Sequence, residues 1–445
     1  MSIRTSAAII AARLLSSACK IAGKQGVTMA GKLAMKIDPQ ILKKLASQVR
    51  GDIFVCCGTN GKTTTNNLLC SALEADGSKV ICNHTGSNML MGVAAAFVLN
   101  ASITGKLDAD YAAIEVDEAS TVRVFPHFKP DYMILTNLFR DQLDRYGEID
   151  TTMDLLARAM DMAPDMELIV NGDDALSAYL AMESGHKVRY YGISEKVFDN
   201  DDSGEIREGR FCKKCGAKLE YDFYHYSQIG VYHCPECGFS RPAIDFDGSA
   251  IDMKNGLDFN VEGRHIHASY RGFYNIYNIL ACYSALRSAN IGLEPFQKVL
   301  ENYNPQNGRN EQFKIGDTKV LLNLAKNPAG FNQNIGAVMT DTADKDLIIV
   351  INDNAQDGKD VSWLWDVDFD RMADSSIKSI TVSGIRYLDM GLRLKYVDIP
   401  CQTERDVKTA IEKKLKDGCG NLYVLVNYTA LYDTHNILKN MEEKA

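Results

Sequence analysis

The chain has no long apolar run, only two tryptophans and no excess of basic residues. Its 445 residues carry 49 Lys and Arg against 58 Asp and Glu, which gives a net charge of −9. Nucleic acids and anionic membranes select basic surfaces, so the balance argues against broad binding to either. No uninterrupted apolar stretch reaches the roughly 18 residues of a membrane span, and the sequence shows no internal repeat or low-complexity tract. A globular protein of two or three domains is expected.

The first 50 residues are expected to be helical, with Ile41, Leu42 and Leu45 at helical spacing. Residues 7–12 form an apolar run, which Arg13 interrupts before it is long enough for a secretion signal. The favoured interpretation is a helix packed on the body of the protein. An amphipathic contact with a membrane is the alternative.

Most of the twelve cysteines lie in apolar runs, as expected for reduced, buried thiols in a cytosolic protein. Four of them form two Cys-x-x-Cys pairs with 18 residues between the pairs: Cys212, Cys215, Cys234 and Cys237. This spacing predicts a four-thiolate zinc ribbon. Four thiolates leave no open coordination position, so the Zn²⁺ is predicted to be structural. Residues 205–245 carry six basic and six acidic side chains, and a neutral module is a poor phosphate binder.

A glycine-containing loop lies between an apolar run at residues 53–57 and a segment with a helical pattern from residue 66. Strand, glycine loop and helix are the context of a phosphate-binding loop, because backbone N–H groups and the helix N-terminus favour phosphate oxygens. The usual spacing places a glycine where this chain has Cys56. The candidate nucleotide-binding residues of the loop are Thr59, Asn60, Gly61, Lys62, Thr63 and Thr64. They predict ATP binding, with Lys62 at the β- and γ-phosphates and the Thr63 hydroxyl at Mg²⁺.

Apolar runs alternate with helical patterns as far as about residue 300, which predicts a doubly wound, mostly parallel α/β sheet. Glu115 and Glu118 follow one such run, and carboxylates beside a phosphate loop are natural magnesium ligands. The sequence does not distinguish between them. Four further apolar runs beyond residue 306 predict a second, smaller Rossmann-like α/β domain. The predicted units are residues 1–48 (helical), 49–305 (ATP-binding), 206–243 (zinc ribbon inserted in the ATP-binding unit) and 306–445 (C-terminal).

Five ordered motifs resemble the Mur ligase superfamily: residues 58–64, 115–118, 136–147, 274–278 and 308–311. The resemblance implies a central ATPase domain that phosphorylates a carboxylate, after which an amine attacks the acyl phosphate. It places Asn137 at the border of the nucleotide site, Asn275 and Asn278 near the adenine, and Arg309 at a phosphate. The family's aspartate–histidine pair is here Asp141-Gln142, so the histidine ligand of a second magnesium ion is missing.

Within this superfamily, the short N-terminal segment and the inserted zinc ribbon resemble the MurT family. The resemblance implies a synthetase subunit that amidates the D-glutamate α-carboxyl of lipid II at the inner face of the cytoplasmic membrane. It also implies a partner, a GatD-type class I glutamine amidotransferase that supplies ammonia. Asp360, in a glycine-broken acidic loop with both tryptophans, matches the aspartate that completes the partner's cysteine–histidine triad.

Two alternatives remain at this point. A stand-alone Mur-like ligase, similar to folylpolyglutamate synthase, would join an amino acid to a carboxylate without a partner and without a role for Asp360. An ATPase whose zinc ribbon binds nucleic acid is disfavoured by the acidic balance of the chain and the neutral charge of the ribbon.

Overall fold

The computed structural model describes residues 3–21, 26–84, 86–140, 148–198, 208–303, 308 and 311–444. The helices are α1 Ile3–Ile21, α2 Val27–Ile37, α3 Ile41–Ala46, α4 Lys62–Ala75, α5 Leu90–Asn100, α6 Thr121–Val124, α7 Ile149–Asp161, α8 Ala175–Glu183, α9 Tyr274–Ser288, α10 Glu294–Asn302, α11 Pro328–Thr340, α12 Tyr387–Lys395, α13 Val407–Lys416 and α14 Tyr428–Glu442. Short 3₁₀ turns span Glu118–Ser120, Glu208–Arg210, Ser362–Asp366 and Phe369–Met372.

The strands are β1 Ile53–Cys57, β2 Val80–Cys82, β3 Tyr111–Glu115, β4 Tyr132–Leu135, β5 Glu167–Asn171, β6 Val188–Ile193, β7 Glu220–Tyr226, β8 Ile229–His233, β9 Phe246–Asp252, β10 Leu257–Val261, β11 Arg264–Ala268, β12 Glu311–Ile315, β13 Thr318–Leu324, β14 Lys345–Val350, β15 Ile377–Ser383, β16 Gln402–Thr403 and β17 Asn421–Val426.

The first sheet has nine strands in the order β11-β10-β9-β6-β5-β4-β1-β3-β2. The strands from β9 to β2 run parallel, and β10 and β11 add an antiparallel edge. The central strand β1 pairs with β3 on one side and β4 on the other. In an open α/β sheet the crevice at such a reversal of strand order is where ligands bind. The prediction of a doubly wound, mostly parallel sheet is confirmed.

Helices cover both faces of this sheet because side chains alternate along each strand. On β1, Ile53 and Val55 join the core beneath α1, α2, α3 and α5. Phe54 and Cys56 join the opposite core beneath α4 and α9. Both faces of β1 are therefore buried, as its unbroken apolar run predicts.

The C-terminal part forms a second sheet in the order β12-β13-β17-β14-β15-β16. Only the β12–β13 pair is antiparallel, so this part is also an α/β layer structure. All four apolar runs predicted as strands beyond residue 306 lie in it. Residues 304–307, where the boundary between the two sheets is predicted, lie outside the described residues.

The N-terminal helices pack together and against α5 on one face of the first sheet. Arg13 of α1 donates hydrogen bonds to the carbonyls of Leu99 and Ala101 at the end of α5. Gly31 of α2 lies against the backbone of Met91, too close for any side chain at that position. Within the described part of the chain, none of the helices combines the length and apolarity required to cross a bilayer.

Candidate active site

The phosphate loop begins where β1 ends and leads into α4. Gly58 and Gly61 both have positive φ, +118° and +90°, which glycine adopts without the cost that a side chain imposes. A Cβ at Gly58 would lie 2.2 Å from the Thr136 hydroxyl, and one at Gly61 would lie 2.2 Å from Asn278 Oδ1. The two glycines therefore provide the backbone conformation and the close packing of the loop. Cys56, at the place of the usual glycine, is a buried residue of β1.

Residues after β4 hold the loop in place through a set of hydrogen bonds. Asn137 Oδ1 accepts from the Asn60 amide at 2.9 Å, and Asn137 Nδ2 donates to the Asn60 carbonyl at 3.0 Å. Thr136 Oγ1 donates to the same carbonyl at 2.7 Å. The Thr59 hydroxyl accepts from the Phe139 amide at 2.9 Å and lies 3.0 Å from the Phe139 carbonyl. The Asn137 side chain thus fixes the shape of the loop by bonding to the loop backbone at Asn60.

Lys62 lies buried inside the loop beside a carboxylate. Its ammonium donates to Glu118 Oε1 at 2.8 Å and to the Gly58 carbonyl, and the Gly58 amide donates to the same glutamate oxygen at 2.8 Å. Burial alone would lower the pKa of Lys62, but the neighbouring carboxylates, Glu118 first, raise it. Burial would raise the pKa of Glu118, but the ammonium outweighs it and holds that pKa below its usual range. Lys62 and Glu118 therefore form a charged pair, in which the Glu118 carboxylate is the counter-charge of the buried ammonium.

Glu115 is placed differently. Asn83 brackets its backbone on β3, accepting from the Glu115 amide and donating to the Glu115 carbonyl, both at 2.8 Å. Asn88 Nδ2 donates to Glu115 Oε1 at 2.8 Å. The other oxygen, Oε2, is buried without a hydrogen-bond partner among the described residues. This carboxylate is therefore oriented, and half of its acceptor capacity is unused.

The unused oxygen faces a small space beside the phosphate loop. A Cβ placed on Gly86 would lie 3.5 Å from Glu115 Oε2 and 3.6 Å from Thr63 Oγ1, so both oxygens border the same point. Mg²⁺ requires hard oxygen ligands at about 2.1 Å and keeps several waters. A buried, unsatisfied carboxylate oxygen and a hydroxyl around a glycine-lined space fit that ion.

The C-terminal part closes the other side of a cavity of about 380 Å³ over the phosphate loop. Asn327 caps α11 by accepting from the Gly330 amide at 2.8 Å, and its amide group also pairs with the Asn60 side chain at 3.2 Å. Lys326 and Gly330 line the cavity opposite Lys62. A site between two α/β layers, with a phosphate loop on one side and a helix N-terminus on the other, fits a nucleoside triphosphate.

The four cysteines of the two Cys-x-x-Cys pairs converge, and their sulfurs all lie within 4.8 Å of one another. Cys212 and Cys237 Sγ are 3.6 Å apart, and Cys215 and Cys234 Sγ are 3.4 Å apart. Tetrahedral Zn²⁺ with bonds of about 2.3 Å needs sulfurs roughly 3.8 Å apart. The donor set therefore fits a four-thiolate metal site.

The β7–β8 hairpin beside this cluster reaches the nucleotide site. At its tip, buried Gln228 donates to the Leu138 carbonyl at 2.7 Å and to Asp174 Oδ1 at 2.8 Å. Asp174 Oδ2 accepts from the Leu138 amide at 2.8 Å. Burial raises the pKa of Asp174, while Ser177 and Gln228 oppose the shift. Tyr226 of the same hairpin lines the cavity. The hairpin thus supports the segment that holds the phosphate loop.

Asp360 lies on an exposed loop of the C-terminal part. It accepts from the Ser362 amide at 2.8 Å, and that bond first of all holds its pKa below the usual range. Nearby Asp357 is buried and accepts a hydrogen bond from Thr429, so Asp357 and Asp360 differ in access to solvent. The loop reaches the first sheet through an ion pair between Arg140 and Asp366.

Most of the predicted site residues meet at this one place. Asn278 lies against Gly61, and its Nδ2 donates to Asn275 Oδ1 at 3.0 Å. Arg309 lies outside the described residues, as do Asp141 and Gln142. Asn83, Gly86 and Asn88 were missed by the sequence analysis. Their signal was a polar, glycine-containing loop directly after the apolar run at residues 80–82.

Comparison with known families agrees with this arrangement. A model of the Mur ligase middle domain matches residues 56–233, and a model of the MurT ligase C-terminal region matches residues 324–431. The chain is 38% identical over 426 residues to a Staphylococcus aureus protein named lipid II isoglutaminyl synthase (glutamine-hydrolyzing) subunit MurT, covering 95% of both chains. It is 31% identical to the Streptococcus pneumoniae protein of that name, covering 99% of this chain and 98% of the relative.

Solved structures share the fold at low sequence identity. A pseudomurein peptide ligase type C from Methanothermus fervidus superposes with a TM-score of 0.70 at 18% identity, covering 89% of this chain and 80% of the other. A MurF ligase from Thermotoga maritima in complex with ADP gives 0.60 at 14% identity, covering 94% and 85%. With the fold, the phosphate loop and near full-length relatives in agreement, the chain belongs to the MurT family of Mur ligase-type, ATP-dependent ligases.

Proposed function

We propose that this chain is the synthetase subunit of a lipid II isoglutaminyl synthase in peptidoglycan synthesis. An oxygen of the D-glutamate α-carboxylate of the lipid II stem peptide attacks the γ-phosphorus of ATP, and the β,γ-bridging P–O bond breaks to release ADP. Ammonia then attacks the acyl carbon of the acyl phosphate, phosphate leaves and the nitrogen loses one proton. The products are D-isoglutamine, ADP and phosphate. The observation that carries the proposal is the near full-length similarity to relatives that bear this name.

The phosphate loop supplies the charge and orientation for the first step. Lys62 is the buried cation of the loop, and we assign it to the β- and γ-phosphates, where a fixed positive charge stabilises the transition state. Glu118 holds the ammonium and the Gly58 amide in place. Glu118 is therefore assigned as a positioning residue of the loop.

Glu115 and Thr63 are assigned to Mg²⁺. Their oxygens border the same small space, and Glu115 Oε2 has no hydrogen-bond partner among the residues described. Bound there, the ion would neutralise phosphate charge. The proposal thus gives different roles to the two carboxylates that the sequence left equivalent.

The remaining loop residues Thr59, Asn60, Gly61 and Thr64 are proposed to contact ATP through their position in the loop that lines the cavity. Asn137 shapes that loop. Asn278 and Asn275 support it from α9, since Asn278 lies against Gly61. Arg309 is proposed as a phosphate contact by resemblance alone.

The four cysteines of the two Cys-x-x-Cys pairs are proposed to hold a structural Zn²⁺. All four positions are filled by thiolates, so the ion would have no open site for chemistry. Its role would be to stiffen the hairpin whose tip, Gln228, supports Leu138. In this view the zinc acts on the nucleotide site through packing.

A separate glutaminase subunit of the GatD type is proposed to supply the ammonia, since the relatives are named as subunits of glutamine-hydrolysing enzymes. Asp360 is accessible on its loop and would orient the partner's histidine. Beside this loop, the rings of Trp365 and Tyr396 make an edge-to-face contact, with ring centroids 5.0 Å apart. Both rings are exposed, as are Leu388 and Leu392 of α12. Exposed aromatic and aliphatic side chains grouped near a charged loop are typical of a protein interface.

The test is an amidation assay on lipid II with glutamine or ammonium as nitrogen source, with and without a GatD-type subunit. Asp360→Asn is expected to abolish glutamine-dependent amidation and to spare ammonium-dependent amidation, because only the glutaminase triad needs the carboxylate. Asp370→Asn, at another exposed aspartate of the same region, is the matched control and should change neither reaction.

Three outcomes would contradict the proposal. Turnover of glutamine by this chain alone would remove the need for a partner. Equal loss with both nitrogen sources in Asp360→Asn would place that residue in the synthetase step or the fold. ATP turnover that depends on a free amino acid in place of ammonia would favour the stand-alone ligase, which rests at present on a shared fold with folylpolyglutamate synthase at 13% identity.

A further inference from the structure

Helix α1 carries apolar side chains on two opposite faces. One face, with Ala8, Ile9 and Ala12, is buried in the core. The other contains four large apolar side chains that face solvent, with exposed fractions of 91%, 44%, 67% and 90%: Ile3, Ile10, Leu14 and Ile21. We call these four residues the α1 stripe. The fold of the chain explains the first face and leaves the second uncovered.

The α1 stripe is continuous along the helix. Its members are seven, four and seven residues apart, and this spacing places them on one side of an α-helix. From Ile3 to Ile21 the stripe is about 27 Å long at 1.5 Å per residue. Single exposed apolar residues are ordinary on protein surfaces, but an aligned group of four marks an interaction surface.

The charge of the same segment is opposite to that of the rest of the chain. Residues 1–50 contain nine Lys and Arg and one Asp, a net charge of +8, whereas residues 51–445 contain 40 basic and 57 acidic residues. The single acid, Asp38, is buried and bonded to Lys44 and Thr5. Among the described residues of this segment, the exposed basic side chains are those of Arg4, Lys20, Lys32, Lys36 and Lys43; Arg50 is also exposed, but it is ion-paired with Asp108 and Asp110. The overall charge of −9 conceals a basic surface at one place.

This surface also lies near the nucleotide site. Thr28 of α2 lines the cavity over the phosphate loop and follows Ile21 by seven residues. Exposed Met89, at the start of α5, borders the same cavity. A substrate carried by a lipid would therefore meet the cavity close to the end of the α1 stripe.

We propose that the α1 stripe and its basic surroundings are a peripheral docking surface for an anionic membrane. The apolar side chains enter the boundary between headgroups and acyl chains, and the Lys and Arg side chains bind anionic headgroups. The occupant is an anionic bilayer because a second copy would bring another +8 segment against the first. The orientation of the cavity toward the membrane rests on the proposed function, that is, on a lipid-linked substrate.

Binding of the full-length chain to vesicles tests this surface. The wild-type chain is expected to bind phosphatidylcholine vesicles that contain phosphatidylglycerol, to bind pure phosphatidylcholine vesicles more weakly, and to lose binding as salt rises. The double variant Ile10→Ser/Leu14→Ser should lower the partition coefficient about tenfold or more, because two inserted side chains are lost. The control is Ile103→Ser, an isoleucine of similar exposure, 56%, outside the segment.

The surface assignment is overturned if the wild-type chain ignores anionic vesicles, or if the double variant and the control bind alike. It is also overturned if the chain is a dimer that the double variant dissociates, which would make the α1 stripe a contact between copies. Loss of binding to the glutaminase subunit in the double variant would equally assign the stripe to that partner.

Amidation assays keep this inference separate from the proposed function. The double variant should retain ammonium-dependent amidation of lipid II in detergent micelles and lose it in vesicles that contain phosphatidylglycerol. Absence of amidation by the wild-type chain in detergent would contradict the proposed function and leave the vesicle-binding result intact. Equal activity of wild type and double variant in vesicles would contradict the docking surface alone.

Discussion

Substitution of Gly86 by alanine tests the proposed magnesium site with one methyl group. The new Cβ would lie 3.5 Å from Glu115 Oε2 and 3.6 Å from Thr63 Oγ1, which are ordinary van der Waals distances. The fold can therefore accept the methyl group. A cation or its bound water between the same two oxygens would compete with it for space, since Mg²⁺ tolerates little departure from octahedral geometry.

The backbone cost of this substitution can be measured separately. Gly86 has φ +69°, and Gly185, in a turn after α8, has φ +71° with nothing within 4 Å of its Cβ position. Alanine costs about 1 kcal/mol in this left-handed conformation at either site. We expect both variants to lose that amount in urea unfolding. Only Gly86→Ala should raise the Mg²⁺ concentration for half-maximal ADP release, by about tenfold or more.

The assay is ADP release with lipid II and ammonium, titrated with Mg²⁺ at saturating ATP. An unchanged Mg²⁺ requirement in Gly86→Ala would refute the assignment of the ion to Glu115 and Thr63. An equal shift in Gly185→Ala would mean that the effect arises from lost stability. A collapse of the fold in Gly86→Ala alone would show that the loop cannot accept the methyl group, against the distances above.

Four further predictions concern the same region. Glu115→Gln should raise the Mg²⁺ requirement more than tenfold, roughly as for other lost metal contacts, with urea unfolding nearly unchanged because the amide oxygen still accepts a hydrogen bond. Glu118→Gln should cost about 3 kcal/mol at pH 7, because a buried ammonium loses its counter-charge. Since the pKa of Glu118 is held below its ordinary 4.5, its contribution is present above pH 4.5, and unfolding curves of wild type and variant should converge as the pH falls below that value. Gln228→Ala should cost about 3 kcal/mol through lost buried hydrogen bonds and raise the KM for ATP, whereas exposed Gln402→Ala should do neither. Cys234→Ser should remove one bound zinc per chain by metal analysis and lower the melting temperature; retention of the metal would contradict a four-thiolate site.

The sheets follow from the sequence because both faces of their central strands are buried. Unbroken apolar runs such as Ile53–Cys57 and residues 422–426 have no polar side to place in solvent, so only the interior of a parallel sheet accommodates them. Strands without an apolar run, such as β7 and the two-residue β16, were not predicted, since exposed positions impose little constraint on composition.

The site could be predicted only in part. A phosphate loop is local, so its residues are recognised from spacing, and the carboxyl ends of neighbouring parallel strands meet at one edge of the sheet. The different hydrogen-bond environments of Glu115 and Glu118 could not be predicted. They depend on the contacts of Glu115 with Asn83 and Asn88 and on the contact of Glu118 with Lys62. These partners are 27 to 56 residues apart in the chain.

The sequence by itself determined the features that depend on the spacing of nearby residues. These are the phosphate loop after β1, the two Cys-x-x-Cys pairs and the alternation of strand and helix. It also contained the charge difference between residues 1–50 and the remainder. Only the tertiary structure decided which carboxylate has a free oxygen, that Gln228 reaches beneath Leu138, and that one apolar face of α1 is buried while the other meets solvent. The physical reason is that burial and orientation are set by packing between distant segments, and a helix with apolar residues on both faces does not specify which face the core will cover.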